Sequence, residues 1–150
     1  MKITIELLEE KFEEYNELYF NDKLRKPKFG LLKSFRVYGQ FSFFVYDTCI
    51  SSRKLSISCY YDWEEEQLRN TMVHEMIHYK LAEERKDLNA THGKEFINMA
   101  QEMNEKYGLN VPLPPMIIGK QKLKVSDDAP KRSLARFFFT KKNKDGVSYA

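Results

Sequence analysis

The chain has 150 residues, of which 42% are hydrophobic and 14% aromatic, enough apolar material for the core of one domain. No apolar run has the length of a membrane span, and the N-terminal segment is acidic and amphipathic rather than secretory. Two cysteines, Cys49 and Cys59, exclude a disulfide framework, so a cytoplasmic protein is expected. The net charge of +3 is uneven: residues 116–150 carry nine Lys and Arg against three Asp, leaving 16 basic and 19 acidic groups in residues 1–115.

Ile5, Leu8, Phe12, Tyr15 and Tyr19 recur at helical spacing, and Thr4 stands where an N-cap belongs, with Ile3 placed to staple onto Leu8. This predicts a first helix ending near Asn21-Asp22, before the Lys26-Pro27 step. Residues 28–35, 40–46 and 55–61 then read as strands of a small, mostly antiparallel sheet, with 47–53 as a polar connection. Asp62 with Glu65 resembles a capping box, so a second helix is expected from Asp62 to about Glu84, with Leu68, Met72, Val73, Met76, Ile77 and Leu81 inward. Residues 85–91 read as a loop. A third helix is predicted over 94–107, with Phe96, Met99, Ala100 and Met103 inward and Gly108 closing it.

Pro112-Leu113-Pro114-Pro115 marks a division. It separates an α+β domain, 1–111, with three helices on its sheet, from a basic, β-rich extension, 112–150. In the extension, 117–125 and 135–140 read as strands, and Lys144-Asp145-Gly146 as a turn into Val147-Ser148-Tyr149. The chain stops as that hairpin partner begins, which suits a truncated or short form. The +6 balance of the extension, with alternating Lys120, Lys122 and Lys124 and then Arg136 before Phe137-Phe138-Phe139, suits single-stranded DNA. The alternative is a solvated lysine face over core phenylalanines, and core is the reading preferred for the phenylalanines.

All three histidines fall within nineteen residues, in Val73-His74-Glu75-Met76-Ile77-His78 and at His92. Two histidines four apart on a helix share one face, about 5–6 Å apart at Cβ, and both imidazoles can reach one zinc ion. A catalytic zinc takes three protein ligands and keeps one position for water, and His92 supplies the third in number and type. Glu75 is placed to act as general base toward such a water. Rivals for the third ligand are Glu95 and Glu102. Cys49 or Cys59 closing a structural zinc would leave Glu75 without a purpose. Tyr38, Tyr60, Tyr61 and Arg53 are candidates for stabilising an oxyanion, and Asp87 and Glu95 for orienting the imidazoles. Leu81 and Glu84 stand where a metzincin needs Gly and His, which excludes that subfamily.

With His92-Gly93-Lys94-Glu95-Phe96 and the opening Tyr15-Asn16-Glu17-Leu18-Tyr19-Phe20-Asn21-Asp22-Lys23-Leu24, the motif resembles the SprT-like family of zinc metalloproteases over about residues 4–107. The resemblance implies a zincin-like fold, Zn2+ on His74, His78 and His92, Glu75 as catalytic acid–base, and peptide-bond hydrolysis. It extends to DNA-crosslinked protein, which the eukaryotic member Spartan cleaves. No cysteine follows Cys59, so the zinc ribbon of many members, and DNA binding through it, does not carry over. A non-catalytic zinc-containing module that binds protein or nucleic acid is the alternative. In zincin-type proteases a cleft-lining strand pairs with extended substrate, and 55–61 is the expected strand.

Overall fold

The computed structural model describes residues 1–113, 123–130 and 148–149. Helix α1 (Ile5–Phe20) starts as its sequence requires. Thr4 is extended, and its hydroxyl accepts the Leu7 N–H at 3.1 Å. Leu8, Phe12, Tyr15 and Phe20 are buried on one face. Asn21, left-handed at φ 53°, ends the helix. Buried Asn16 then fixes the turn: its amide donates to the Leu24 carbonyl at 2.8 Å and accepts the Leu24 N–H at 3.2 Å.

Strands β1 (Lys28–Leu32), β2 (Gly39–Tyr46), β3 (Cys49–Ser58) and β6 (Ser148–Tyr149) form one sheet in the order β1-β3-β2-β6. β2 runs antiparallel to β3 and to β6, but β1 and β3 are parallel. The sheet is therefore mixed, because residues 33–38 carry the chain past the end of β3 instead of folding β2 back on β1. Ser58 holds that crossing, donating its N–H to the Tyr38 carbonyl at 2.8 Å and its hydroxyl to the Ser34 carbonyl at 2.6 Å.

Two expectations fail here. The polar connection 47–53 shrinks to Asp47-Thr48, both left-handed at φ 50° and 61°, so that strand resumes at Cys49. Left-handed residues at both central positions give the tight turn whose twist matches paired strands. The strand expected to pair with substrate, 55–61, has no open edge: Leu55 and Ile57 lie between β1 and β2.

Helix α2 spans Glu65–Glu83. Asp62 does not cap it. Asp62 belongs to β4 (Tyr61–Asp62), paired with β5 (Lys124–Val125), and its carboxylate takes the Met1 ammonium at 2.7 Å. Glu64 occupies the cap position without a side-chain hydrogen bond, while Glu65 and Glu66 suit the helix dipole. Helix α3 (Lys94–Tyr107) ends at left-handed Gly108, as expected. Of the extension, β5 and β6 are strand, while 117–122, the strand expected over 135–140 and the turn at 144–146 lie outside the described residues. No helix among the described residues is long and apolar enough to cross a membrane.

Helix α2 packs on β2 and β3 with α1 and α3 beside it, so apolar neighbours surround its middle. Phe41 of β2 stacks on Tyr79 of α2, with ring centroids 4.7 Å apart. Gly39 lets β2 approach the same helix. A Cβ there would meet Thr71 Cγ2 at 3.0 Å, Ile57 Cδ1 at 3.1 Å and Glu75 Cγ at 3.3 Å.

Candidate metal centre

Burial around α2 carries through to its polar residues. His74 and His78 are each 2% exposed and Glu75 is 1% exposed. Groups this polar are stable in such a place only with partners, and the partners include one another. The two α2 imidazoles stand with centroids 5.2 Å apart. His92, from the loop between α2 and α3, brings its Nε2 to 3.1 Å from the Nε2 of His74 and 3.1 Å from that of His78.

Three imidazole nitrogens, all within 4.8 Å of one another, could hold a metal ion. Zinc–nitrogen bonds of 2.0–2.1 Å in a tetrahedron put ligand nitrogens roughly 3.3 Å apart, close to the two separations of 3.1 Å from His92. Among the described residues this ligating group contains only imidazoles. Cys49, Cys59, Glu95 and Glu102 are not brought into it. Cys49 accepts instead from the Arg85 guanidinium at 3.2 Å.

Protonation favours metal binding over charge. The His74 Nδ1 lies 3.2 Å from the Pro112 carbonyl oxygen. A carbonyl only accepts, so Nδ1 carries the proton and Nε2 presents its lone pair. Burial pushes the His78 imidazolium pKa down to about 2, helped by the neighbouring His74 and His92. His78 Nδ1 is buried with no hydrogen-bond partner among the described residues.

Glu75 faces the start of β2. Its Oε2 lies 3.9 Å from His74 Nε2, and the Phe41 main chain hydrogen-bonds its carboxylate. Oε1 has no hydrogen-bond partner among the described residues. Burial raises the Glu75 pKa well above the ordinary carboxylate range, and the Phe41 bond offsets this only in part. A carboxylate held like this is a strong proton acceptor.

Several supports had no marker in the sequence. Phe96 of α3, fully buried, sets its ring against all three imidazoles at centroid distances of 4.6, 4.6 and 4.9 Å. Its position four residues after His92 was visible, but only as a core residue. Pro112 acts through its backbone, which no side-chain pattern reveals, and it lies just past the division expected after residue 111. Asp87, expected to orient an imidazole, instead braces the loop. It accepts the Asn89 and Thr91 N–H groups, both at 2.9 Å, and the Thr91 hydroxyl at 2.7 Å. Within that loop Ala90 is left-handed at φ 50°, a strained conformation the brace helps to hold. Two oxyanion candidates are engaged elsewhere: Arg53 makes a two-pronged pair with Glu83 at 2.9 and 3.0 Å, and Tyr61 donates to the Phe35 carbonyl at 2.8 Å. Tyr38 and Tyr60 pack in the aromatic cluster with Tyr61 and Phe35.

The SprT-like family model matches residues 8–115, which takes in α1 from Leu8 onward, the first three strands, the histidine trio and Pro112. The chain belongs to the SprT-like family. A comparison with curated proteins gives no match. The matched SprT-like region runs past Tyr107 to the carbonyl that orients His74, so the segment after α3 belongs with the site's surroundings.

Proposed function

We propose that this SprT-like protein is a zinc endopeptidase, with His74, His78 and His92 as metal ligands and Glu75 as general base. The observation that carries the reading is the convergence of three imidazole nitrogens beside a buried carboxylate whose Oε1 has no hydrogen-bond partner among the described residues. The donor set fits zinc, for which imidazole is a preferred ligand. When bound, the ion supplies Lewis acidity and brings the pKa of a water to about 7.

The chain's own residues do the rest. Pro112 fixes the His74 tautomer, Phe96 backs all three rings, and the Asp87 brace presents His92. Glu75 takes a proton at Oε1 from the attacking water and passes it to the leaving amine. Its raised pKa suits both halves of that transfer, because the protonated form is stable enough to wait. A scaffold without catalysis has no use for such a carboxyl, which costs folding free energy wherever it ionises. The basic composition of residues 116–150 extends the proposal to substrates held on nucleic acid.

The test compares wild type with Glu75→Gln on casein, with and without single-stranded DNA, while zinc content is measured on the same samples. Both proteins should bind one zinc and only wild type should cleave. Equal residual cleavage in the two would refute the assignment of the base.

A further inference from the structure

The edge of β2 is the place where the sheet meets Glu75. Phe41 hydrogen-bonds the Glu75 carboxylate through its main chain, and Gly39 stands within close packing distance of Glu75 Cγ. β3 covers one side of β2. On the other side lies β6, with Tyr149 opposite Phe41 and Ser148 opposite Ser42. The segment that covers the edge beside the proposed general base is therefore a piece of this same chain.

An edge strand recognises whatever extended backbone is offered, because main-chain N–H and C=O groups do the pairing. β6 pairs with Phe41 and Ser42 of a strand that runs Gly39–Tyr46. Farther along β2, Phe44, Val45 and Tyr46 are 66%, 42% and 84% exposed, a strip of apolar side chains. A longer extended peptide can pair at Phe41–Ser42 and also cover those side chains, so it competes with β6 for the same edge.

We propose that β6 is a built-in competitor: Ser148–Tyr149 takes the strand position that an extended substrate polypeptide needs beside Glu75, and the protein is restrained until that segment is displaced. This rests on the peptidase reading for its consequence, but the competition itself is a binding event. A form self-paired nine-tenths of the time weakens apparent peptide affinity about tenfold.

The experiment uses the full chain carrying Glu75→Gln, so that peptide is bound and not cut. Anisotropy of a short fluorescein-labelled peptide, rich in Thr and Val with flanking Lys, reads its affinity. Proline is placed at Ser148 and at Tyr149 in separate variants. Successive N–H groups point to opposite sides of a strand, so one of the two replacements must remove a ladder donor. A further variant, Ser42→Cys with Ser148→Cys and with Cys49 and Cys59 as serine, locks the ladder when oxidised. The expected result is about tenfold tighter binding in one proline variant and loss of binding on oxidation, restored by reductant. Unchanged affinity in both proline variants, or full binding by the locked form, overturns the proposal. Circular dichroism on each variant identifies any that has lost its fold. The cleavage assay separates the two readings: tighter peptide binding by a proline variant that fails to cleave with Glu75 retained counts against the peptidase, and cleavage with no shift in binding counts against the competitor.

Discussion

Replacing Gly39 with alanine presses a methyl group into the junction between β2 and α2. The added carbon would sit 3.0 Å from Thr71 Cγ2, 3.1 Å from Ile57 Cδ1 and 3.3 Å from Glu75 Cγ. All three contacts are tighter than ordinary van der Waals separation, and none can simply swing away. Ile57 is fully buried, Thr71 is 5% exposed, and both are β-branched and stiff at χ1. Gly39 is not left-handed, so alanine adds no backbone strain and the perturbation is one of packing. Overpacking of this kind costs about 1–3 kcal/mol. The strand and helix must part by a few tenths of an ångström, which moves the Glu75 carboxylate relative to the imidazoles. Activity should fall further than stability, by about tenfold in kcat, since displacements of about 1 Å cost about a hundredfold. Gly30→Ala is the control. Its Cβ would approach Lys54 Cε at 2.6 Å and Ser56 Oγ at 2.7 Å, closer in distance, but the lysine end is free to move and the buried Ser56 hydroxyl needs to turn about only one bond. Urea unfolding and casein cleavage on both variants give the ranking. If Gly30→Ala proves the more damaging, or Gly39→Ala is silent in both assays, the packing argument is wrong.

Asp87→Ala should weaken zinc binding about tenfold through slackening of the His92 loop, while Asp87→Asn recovers part of the loss; chelator competition reads both, and equal zinc affinity in all three proteins would show that the brace does not matter. Glu75→Gln should raise the thermal midpoint of the metal-free protein at neutral pH, because it removes a buried carboxyl that resists ionisation. The pH dependence of metal-free stability follows from two opposite shifts. His78 has its folded pKa lowered to about 2, so its contribution is whole above about 6.5 and is lost on acidification from there, by about 1.4 kcal/mol per pH unit. Glu75 has its folded pKa raised, so its contribution is whole below about 4.5 and is lost as the pH rises through the folded value. Urea midpoints should therefore fall below about pH 4.5, while above it the two shifts oppose each other and Glu75→Gln should steepen the rise toward 6.5. A wild-type curve that climbs steadily through neutrality would contradict this.

Local chemistry made the helices legible. Thr4, Asn21 and Gly108 act on their immediate neighbours, and α1 and α3 begin and end where those residues require. The start of α2 was misread because Asp62 is claimed by the Met1 ammonium, a contact between residues 61 apart that leaves no local pattern. The parallel pairing of β1 with β3 was hidden for a related reason: alternating apolar residues show that a strand has a buried face, not which strand lies beside it. The histidine trio was readable because the whole supply of histidine is concentrated in one stretch, and the structure does bring the three rings together. What supports them was not readable. A backbone carbonyl at Pro112 and a missing side chain at Gly39 leave no chemical trace in a sequence, and Phe96 looks like any core residue until its neighbours are known.

The three imidazoles are not equally accessible. His74 and His78 lie sealed within the protein behind Phe96, and only His92 is partly exposed. If an ion binds there as proposed, His92 is the ligand it would reach first from solvent. Its release would then require residues 85–93 to move, since they carry His92. Stripping by a chelator should consequently reach a ceiling rate that no excess of chelator exceeds. That ceiling, read by stopped-flow, is the opening frequency of the loop, and loosening Asp87 should raise it.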